Sequence, residues 1–231
     1  MATATNPNIL TTLSLFQGLS AAQLARLRDY LRPKTLRAGS HLITAEQPGE
    51  FIYFVLRGTL KIHIEQADGQ DVILAILGRG DTVGEMSLID DVGRSASVLA
   101  LEDTSLLWMD GVTFQRALHE MPDLAMNLIK LLTARIRMAD AHVQALAALD
   151  VRGRVARQIL AFADRYGEPN AAGHTLIPIR LTQRDIADLV GASRKRVNQV
   201  MVAFKQQGAI AVQSTGQITL KRREDLVRYC G

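Results

Sequence analysis

One segment carries the residue types needed to hold a sugar phosphate: Val83-Gly84-Glu85-Met86-Ser87-Leu88-Ile89-Asp90-Asp91-Val92-Gly93-Arg94-Ser95-Ala96. It sets a carboxylate, a small turn and an arginine between two apolar, strand-like runs. Glu85 can accept a hydrogen bond from a ribose hydroxyl. Arg94 can fork onto a phosphate, with the Ser95 hydroxyl and nearby backbone N–H groups as further donors. Gly84 and Gly93 let the backbone turn tightly and approach a ligand closely. The competing reading is a glycine-rich turn with a surface Glu–Arg pair. The elements around the segment bear on that choice.

Those elements are short strands. Between Thr35 and Met109 lie Phe51-Ile52-Tyr53-Phe54-Val55-Leu56, Leu60-Lys61-Ile62-His63-Ile64 and Val72-Ile73-Leu74-Ala75-Ile76-Leu77, with Gly39, Pro48-Gly49, Gly58, Asp68-Gly69 and Gly78-Arg79-Gly80 between and around them. The lengths and β-branched content suit strands, and Asp68-Gly69 is a hairpin signal. Many short strands with glycine-marked turns make a small antiparallel barrel or roll. Trp108, beside Leu106 and Leu107, closes the last strand and is expected in the core. Ahead of the roll, leucines at helical spacing run from Leu13 to Leu31. Ser20 and Gln23 form a capping-box signature there, and Pro33 ends the run.

After the roll, Asp110 caps a short helix through His119. Pro122 opens a second helix with no breaker before about Asp150, a rod of about 40 Å. Ala125, Ile129, Leu132, Ile136, Ala139, Val143 and Leu146 alternate at spacings of four and three along it, the seam of a coiled coil. Leu124, Leu128, Leu131 and Leu149 lie off the seam. One face can therefore meet the roll while the seam meets a second copy, giving a parallel homodimer.

Residues 151–231 read as a winged helix-turn-helix. Val151 to Tyr166 is a basic amphipathic helix, followed by a loop from Gly167 to Gly173. Thr182-Gln183-Arg184-Asp185 opens the next helix with a capping box, Gly191 turns, and Ser193 caps a helix ended by Gly208. Arg194, Lys195, Arg196, Asn198 and Gln199 stand near the start of that helix, where recognition helices meet base edges. Ala211 to Gln213 and Gln217 to Leu220 make a two-stranded wing around Ser214-Thr215-Gly216.

Charge supports this division. Of 27 Lys+Arg and 23 Asp+Glu, residues 1–150 hold 13 and 17, a balance of −4, while residues 151–231 hold 14 and 6, a balance of +8. A basic C-terminal third on an acidic body suits a nucleic-acid-binding domain. No apolar run reaches the ~18 residues that span a bilayer, and Met1 to Asn8 reads as a short polar tail. A single cysteine, Cys230, leaves no disulfide framework and no cysteine cluster for a metal. His41, His63, His119, His142 and His174 show no zinc spacing. A cyclic nucleotide phosphodiesterase is disfavoured, because the chain shows neither metal-ligand clusters nor an evident nucleophile–base pair. These features point to a cytoplasmic protein that is not an enzyme and holds no metal.

The segment around Glu85 and Arg94 resembles the phosphate-binding cassette of the bacterial Crp/Fnr family, the catabolite activator and fumarate–nitrate reduction regulators. The glycine placement of the strands resembles that family's β-roll. The stretch Leu149-Asp150-Val151-Arg152-Gly153-Arg154 and the block Leu181 to Ile210 resemble its DNA-binding part, so the likeness runs in order along nearly the whole chain. It implies an α+β protein: a cyclic nucleotide-binding β-roll over residues 1–121, a dimerisation helix over 122–150 and a winged helix-turn-helix over 151–231. It also implies an effector site of Gly84, Glu85, Met86, Ser87, Arg94, Ser95 and Ala96, with Arg137, Ala139 and Asp140 on the long helix. The DNA-binding set would be Thr182, Gln183, Ser193, Arg194, Lys195, Arg196, Asn198, Gln199 and Lys221. Ile129, Leu132, Ile136, Ala139, Val143 and Leu146 would join two copies. The expected partners are a pseudo-palindromic DNA operator, a second copy and RNA polymerase, with no membrane.

Two positions depart from the cyclic AMP-dependent members. Where they carry two hydroxyl residues that contact the adenine, this chain has Ala139 and Asp140. Alanine can neither donate nor accept, and ionised aspartate only accepts. Arg137-Met138-Ala139-Asp140 also resembles the arginine-and-aspartate spacing found where cyclic di-GMP binds, although an exposed (i, i+3) ion pair is the favoured account of so short a motif. Cyclic AMP follows from the cassette, while cyclic GMP and cyclic di-GMP stay open. On the recognition helix, the members most similar to this chain carry Arg-Glu and a further Arg one turn on. Arg194, Lys195 and Gln199 stand there instead, which implies a different half-site. A ligand-independent regulator with a vestigial pocket is the alternative.

Overall fold

The computed structural model describes residues 7–66 and 71–231. Most of the polar opening segment and the hairpin expected at Asp68-Gly69 lie outside them. The chain divides into two compact units: the chain up to Glu65 with Leu74–Ile136, and Arg137–Gly231 with the residues just before Leu74.

In the first unit, helices α1 (Pro7–Leu10) and α2 (Ala21–Tyr30) precede eight strands: β1 (Arg32–Leu36), β2 (His41–Ile43), β3 (Phe51–Arg57), β4 (Leu60–Glu65), β5 (Asp71–Leu77), β6 (Thr82–Val83), β7 (Ser97–Ala100) and β8 (Thr104–Asp110). They form two four-stranded sheets, ordered β1-β8-β3-β6 and β2-β7-β4-β5. Alternation explains the continuous apolar run in β3. Tyr53 and Val55 face the interior between the sheets with Leu60, Val83, Val98 and Leu106. Ile52 and Phe54 face the other way, onto Phe16, Leu27, Phe114, Leu124 and Leu128. A sheet covered on both faces loses the apolar–polar rhythm of a one-sided strand. The capping box at Ser20 and Gln23 forms as expected. Ser14–Phe16, however, make a 3-10 turn rather than the start of the helix. Pro33 lies inside edge strand β1, where a missing N–H is tolerated. Trp108 is only half-buried, packing edge-on against Phe51 at 4.9 Å.

Helix α3 (Gly111–Glu120) starts at Asp110, whose carboxylate accepts from the Thr113 N–H. Helix α4 (Pro122–Ala148) is unbroken over 27 residues. Its faces separate as the spacing predicts. Leu124 and Leu128 are 0% and 5% exposed, whereas Ile129, Ile136, Val143 and Leu146 are 55%, 62%, 64% and 44% exposed. Leu132, placed on the seam by its spacing, is partly buried against the first unit's core.

In the second unit, α5 (Val151–Tyr166) begins at Asp150, whose side chain accepts from the Gly153 N–H. Strands β9 (Glu168–Pro169) and β10 (Thr175–Ile177) follow, so the expected loop from Gly167 begins with a strand. Helices α6 (Gln183–Val190) and α7 (Arg194–Gln206) make the helix-turn-helix, with Gly191 left-handed at φ 60° between them. Strands β11 (Ile210–Val212) and β12 (Ile218–Leu220) join β10 and β9 in one sheet, ordered β11-β12-β10-β9. The wing is therefore half of a four-stranded sheet. A last helix, α8 (Arg223–Val227), was not expected. It packs on α5 through Leu226 and the Arg223–Asp164 ion pair. No helix among the described residues is long and apolar enough to cross a membrane.

Candidate functional site

Arg94 is buried, 7% exposed, and its guanidinium meets only neutral oxygens by hydrogen bond. Nη1 donates to the Gly84 carbonyl at 2.7 Å and to the Ser87 hydroxyl at 2.8 Å, and Nη2 donates to the Phe51 carbonyl at 2.6 Å. Burial lowers its pKa from the usual arginine value, with Tyr53, Glu85 and Glu50 pulling the other way. A guanidinium in that setting keeps its charge and is suited to an anion. The backbone of Arg94 is fixed as well: its N–H donates to Gln47 O and its carbonyl accepts from Glu46 N, both at 2.9 Å. Gly84 is needed where it stands. Its φ is +90°, and a Cβ there would lie 2.7 Å from Arg94 Nη1 and 2.8 Å from the Phe51 carbonyl oxygen.

Glu85 precedes a 3-10 turn, Met86–Leu88, whose first N–H groups have no partner in the turn itself. Its side chain is 1% exposed. One carboxylate oxygen accepts from Arg135 Nη1, and the other is buried with no partner among the described residues. Arg135 also donates to the Thr82 carbonyl, and the Thr82 hydroxyl is a second buried polar atom without a partner. Arg135 was not singled out from sequence. A signal for it exists, because it extends the roll-facing stripe Leu124, Leu128 and Leu131 at spacings of four, three and four. A charge on a buried stripe needs a partner. Within the cassette, Ser87 and Ala96 are buried, while Met86 and Ser95 are exposed. Arg137, Ala139 and Asp140 are all exposed on α4, and no ion pair joins Arg137 to Asp140 among the described residues.

The C-terminal candidates divide by role. Val197, Val200, Met201 and Phe204 bury one face of α7, leaving Arg194, Lys195, Arg196, Asn198 and Gln199 exposed on the rest. Gln183 donates to Asn198 at 2.9 Å, tying the start of α6 to α7. Thr182 and Ser193 cap their helices, accepting from Asp185 N and Arg196 N. Lys221 is exposed just past β12. Its neighbours are engaged: Arg222 pairs with Asp225, and Arg223 forks onto Asp164 at 2.6 and 3.0 Å.

Residues 33–121 match the family model for the cyclic nucleotide-binding domain, and residues 153–229 match that for the Crp-like helix-turn-helix domain. The chain is 31% identical to a CRP-like cAMP-activated global transcriptional regulator of Mycobacterium tuberculosis, over 89% of this chain and 91% of the relative. It belongs to the Crp/Fnr family. It is likewise 31% identical to the cyclic AMP receptor protein of Thermus thermophilus, over 91% of this chain and 92% of that one. The solved structure of FixK2 from Bradyrhizobium japonicum shares the fold at a TM-score of 0.77 and 22% identity, covering 87% of this chain and 98% of that chain.

The protein is thus a Crp-like transcription regulator with a cyclic nucleotide-binding domain and a DNA-binding helix-turn-helix, and not an enzyme. The α+β architecture of antiparallel sheets followed by helices and a helix-turn-helix is that of the Crp/Fnr fold. Among the described residues no group of histidine, cysteine or carboxylate side chains is placed to hold a metal.

Proposed function

We propose that the protein is a cytoplasmic, dimeric regulator whose DNA binding is controlled by a cyclic nucleotide held in the roll. The observation that carries this reading is the half-satisfied Glu85, with one oxygen on Arg135 and the other buried and unpartnered. A ribose hydroxyl is a donor that would complete it. An unmet buried acceptor costs about 1–3 kcal/mol, so binding would recover that energy. Gly84, Met86, Ser87, Arg94, Ser95 and Ala96 complete the effector set, with the phosphate assigned to Arg94 and the base to Arg137, Ala139 and Asp140. Cyclic AMP is the first choice, from the cassette and from the cAMP-activated relatives. Cyclic GMP and cyclic di-GMP are the alternatives, because Ala139 offers the base no hydrogen bond and Asp140 only accepts.

The exposed stripe Ile129, Ile136, Val143 and Leu146 supports pairing of two copies along α4. Leu132 and Ala139 complete the proposed seam. The domain division follows at 1–121, 122–150 and 151–231. Two recognition helices on a two-fold axis imply half-sites about 34 Å apart. Arg194, Lys195, Arg196, Asn198 and Gln199 would meet DNA, with Thr182, Gln183, Ser193 and Lys221 on the flanks. RNA polymerase is the expected protein partner. A ligand-independent regulator is the second reading, favoured by the three bonds that already engage Arg94. Calorimetric titration with cyclic AMP, cyclic GMP and cyclic di-GMP decides between them. Saturable heat with one supports effector control; no heat with any overturns it.

A further inference from the structure

Tyr53 is 6% exposed, and among the described residues its hydroxyl makes no hydrogen bond. The ring is buried, but the hydroxyl is not among the buried polar atoms that lack a partner, so it reaches solvent and is free to donate. Its ring belongs to the interior-facing cluster of the roll, and its strand position pairs with Val83, immediately before Gly84. Gly84 and Phe51 supply two of the carbonyls that hold the Arg94 guanidinium, and the Phe51 and Tyr53 rings are 6.5 Å apart on the same face of β3. Tyr53 therefore stands beside the strand ends that Arg94 bridges. Burial raises the phenol's pKa, and the Arg94 charge opposes that rise, so the hydroxyl stays a donor at neutral pH and feels the guanidinium. On the ring of the same tyrosine, the Lys34 ammonium lies 5.5 Å from the centroid. Lys34 is half-buried and makes no ion pair among the described residues.

We infer that Tyr53 is a further effector-binding residue, its phenol donating to the anionic group that Arg94 takes, while Lys34 adds positive charge at the same end of the roll. The ligand class is an anion, a cyclic phosphate, rather than a neutral nucleoside. This rests on the effector-controlled reading above. A hydroxyl and a cation on one aromatic ring, near a guanidinium bonded only to neutral oxygens, are none of them hydrogen-bonded to a negative group among the described residues. A phosphate supplies it. Tyrosine donates one O–H to an ionised oxygen here, a stronger bond than one between neutral groups.

The test is calorimetric titration of the full chain and of its Tyr53→Phe and Lys34→Gln variants with cyclic AMP, cyclic GMP and cyclic di-GMP, alongside thermal unfolding without nucleotide. For whichever nucleotide the unaltered protein takes, Tyr53→Phe should weaken binding about tenfold. Its unfolding temperature should stay level, because phenylalanine keeps the buried ring and removes only a solvent-accessible hydroxyl. Lys34→Gln should weaken binding by a smaller factor that disappears at high salt. Unchanged affinity in Tyr53→Phe overturns the inference. So does a fall in its nucleotide-free unfolding temperature, which would mark the hydroxyl as structural. Absence of heat with every nucleotide in the unaltered protein overturns the effector reading itself, and this inference with it.

Discussion

Arg135 on α4 and Glu85 in the cassette form an ion pair across 50 residues of sequence. The carboxylate is 1% exposed and the guanidinium 24% exposed, and the same guanidinium reaches the Thr82 carbonyl. The helix is thereby fastened to the turn that is assigned the ribose. A donor arriving on Glu85 would meet a carboxylate that α4 already holds, so effector and helix act on one group.

Removing Arg135 should leave Glu85 as a buried charge without its partner. Arg135→Ala is expected to cost about 3 kcal/mol in unfolding free energy. A double change, Arg135→Ala with Glu85→Gln, should recover part of that loss because no charge remains to desolvate. Urea unfolding of the three proteins measures both. A loss under ~1 kcal/mol in the single variant would mean that the pair behaves as a surface salt bridge.

The cassette was legible in sequence because its parts are local: Glu85 and Arg94 lie nine residues apart, with Gly84 and Gly93 marking the turn. Arg135 was not, since its partner is set by how α4 lies on the roll and no spacing within the helix records that. Tyr53, inferred above to meet the effector, lies inside an apolar run whose alternation is masked by burial on both sheet faces. In the C-terminal third, the capping signals at Thr182, Ser193 and Gly191 placed the helices closely. Strand β9 has only two residues, Glu168–Pro169, too few for any period to show.

Arg94→Leu should abolish cyclic nucleotide binding while the fold persists. Losing a charge-assisted fork costs on the order of 2–3 kcal/mol or more, enough to put the complex beyond a normal titration. Leucine keeps the bulk of the side chain's stem in the buried site. Calorimetry reads the loss, and circular dichroism checks the fold. Unchanged affinity would remove Arg94 from the phosphate.

Ile136 and Val143 sit mid-seam, and both are more than three-fifths exposed in the single chain. Changing both to aspartate would bury like charges against each other in a parallel pair. Sedimentation should then show monomers, against the dimers expected of the unaltered protein. A double variant that still sediments as a dimer would place the interface elsewhere.

On DNA, Arg194 and Lys221 should behave differently. Arg194 is the first residue of α7 and is exposed, where the opening turns of a recognition helix meet base edges. Lys221 follows β12; the adjacent Arg222 and Arg223 are spent on Asp225 and Asp164, whereas Lys221 makes no ion pair among the described residues. Arg194→Ala is expected to lower affinity for the operator by ~1–3 kcal/mol and to relax preference at one guanine in each half-site. Lys221→Ala should weaken binding to all sequences alike and reduce the salt slope by about one. Most protein–DNA hydrogen bonds go to the backbone, so a phosphate clamp is the competing role for Arg194. Competition binding against operator variants at several salt concentrations separates the two. If Arg194→Ala leaves sequence preference intact and only flattens the salt dependence, Arg194 holds phosphate and the base reading passes to Lys195, Asn198 or Gln199.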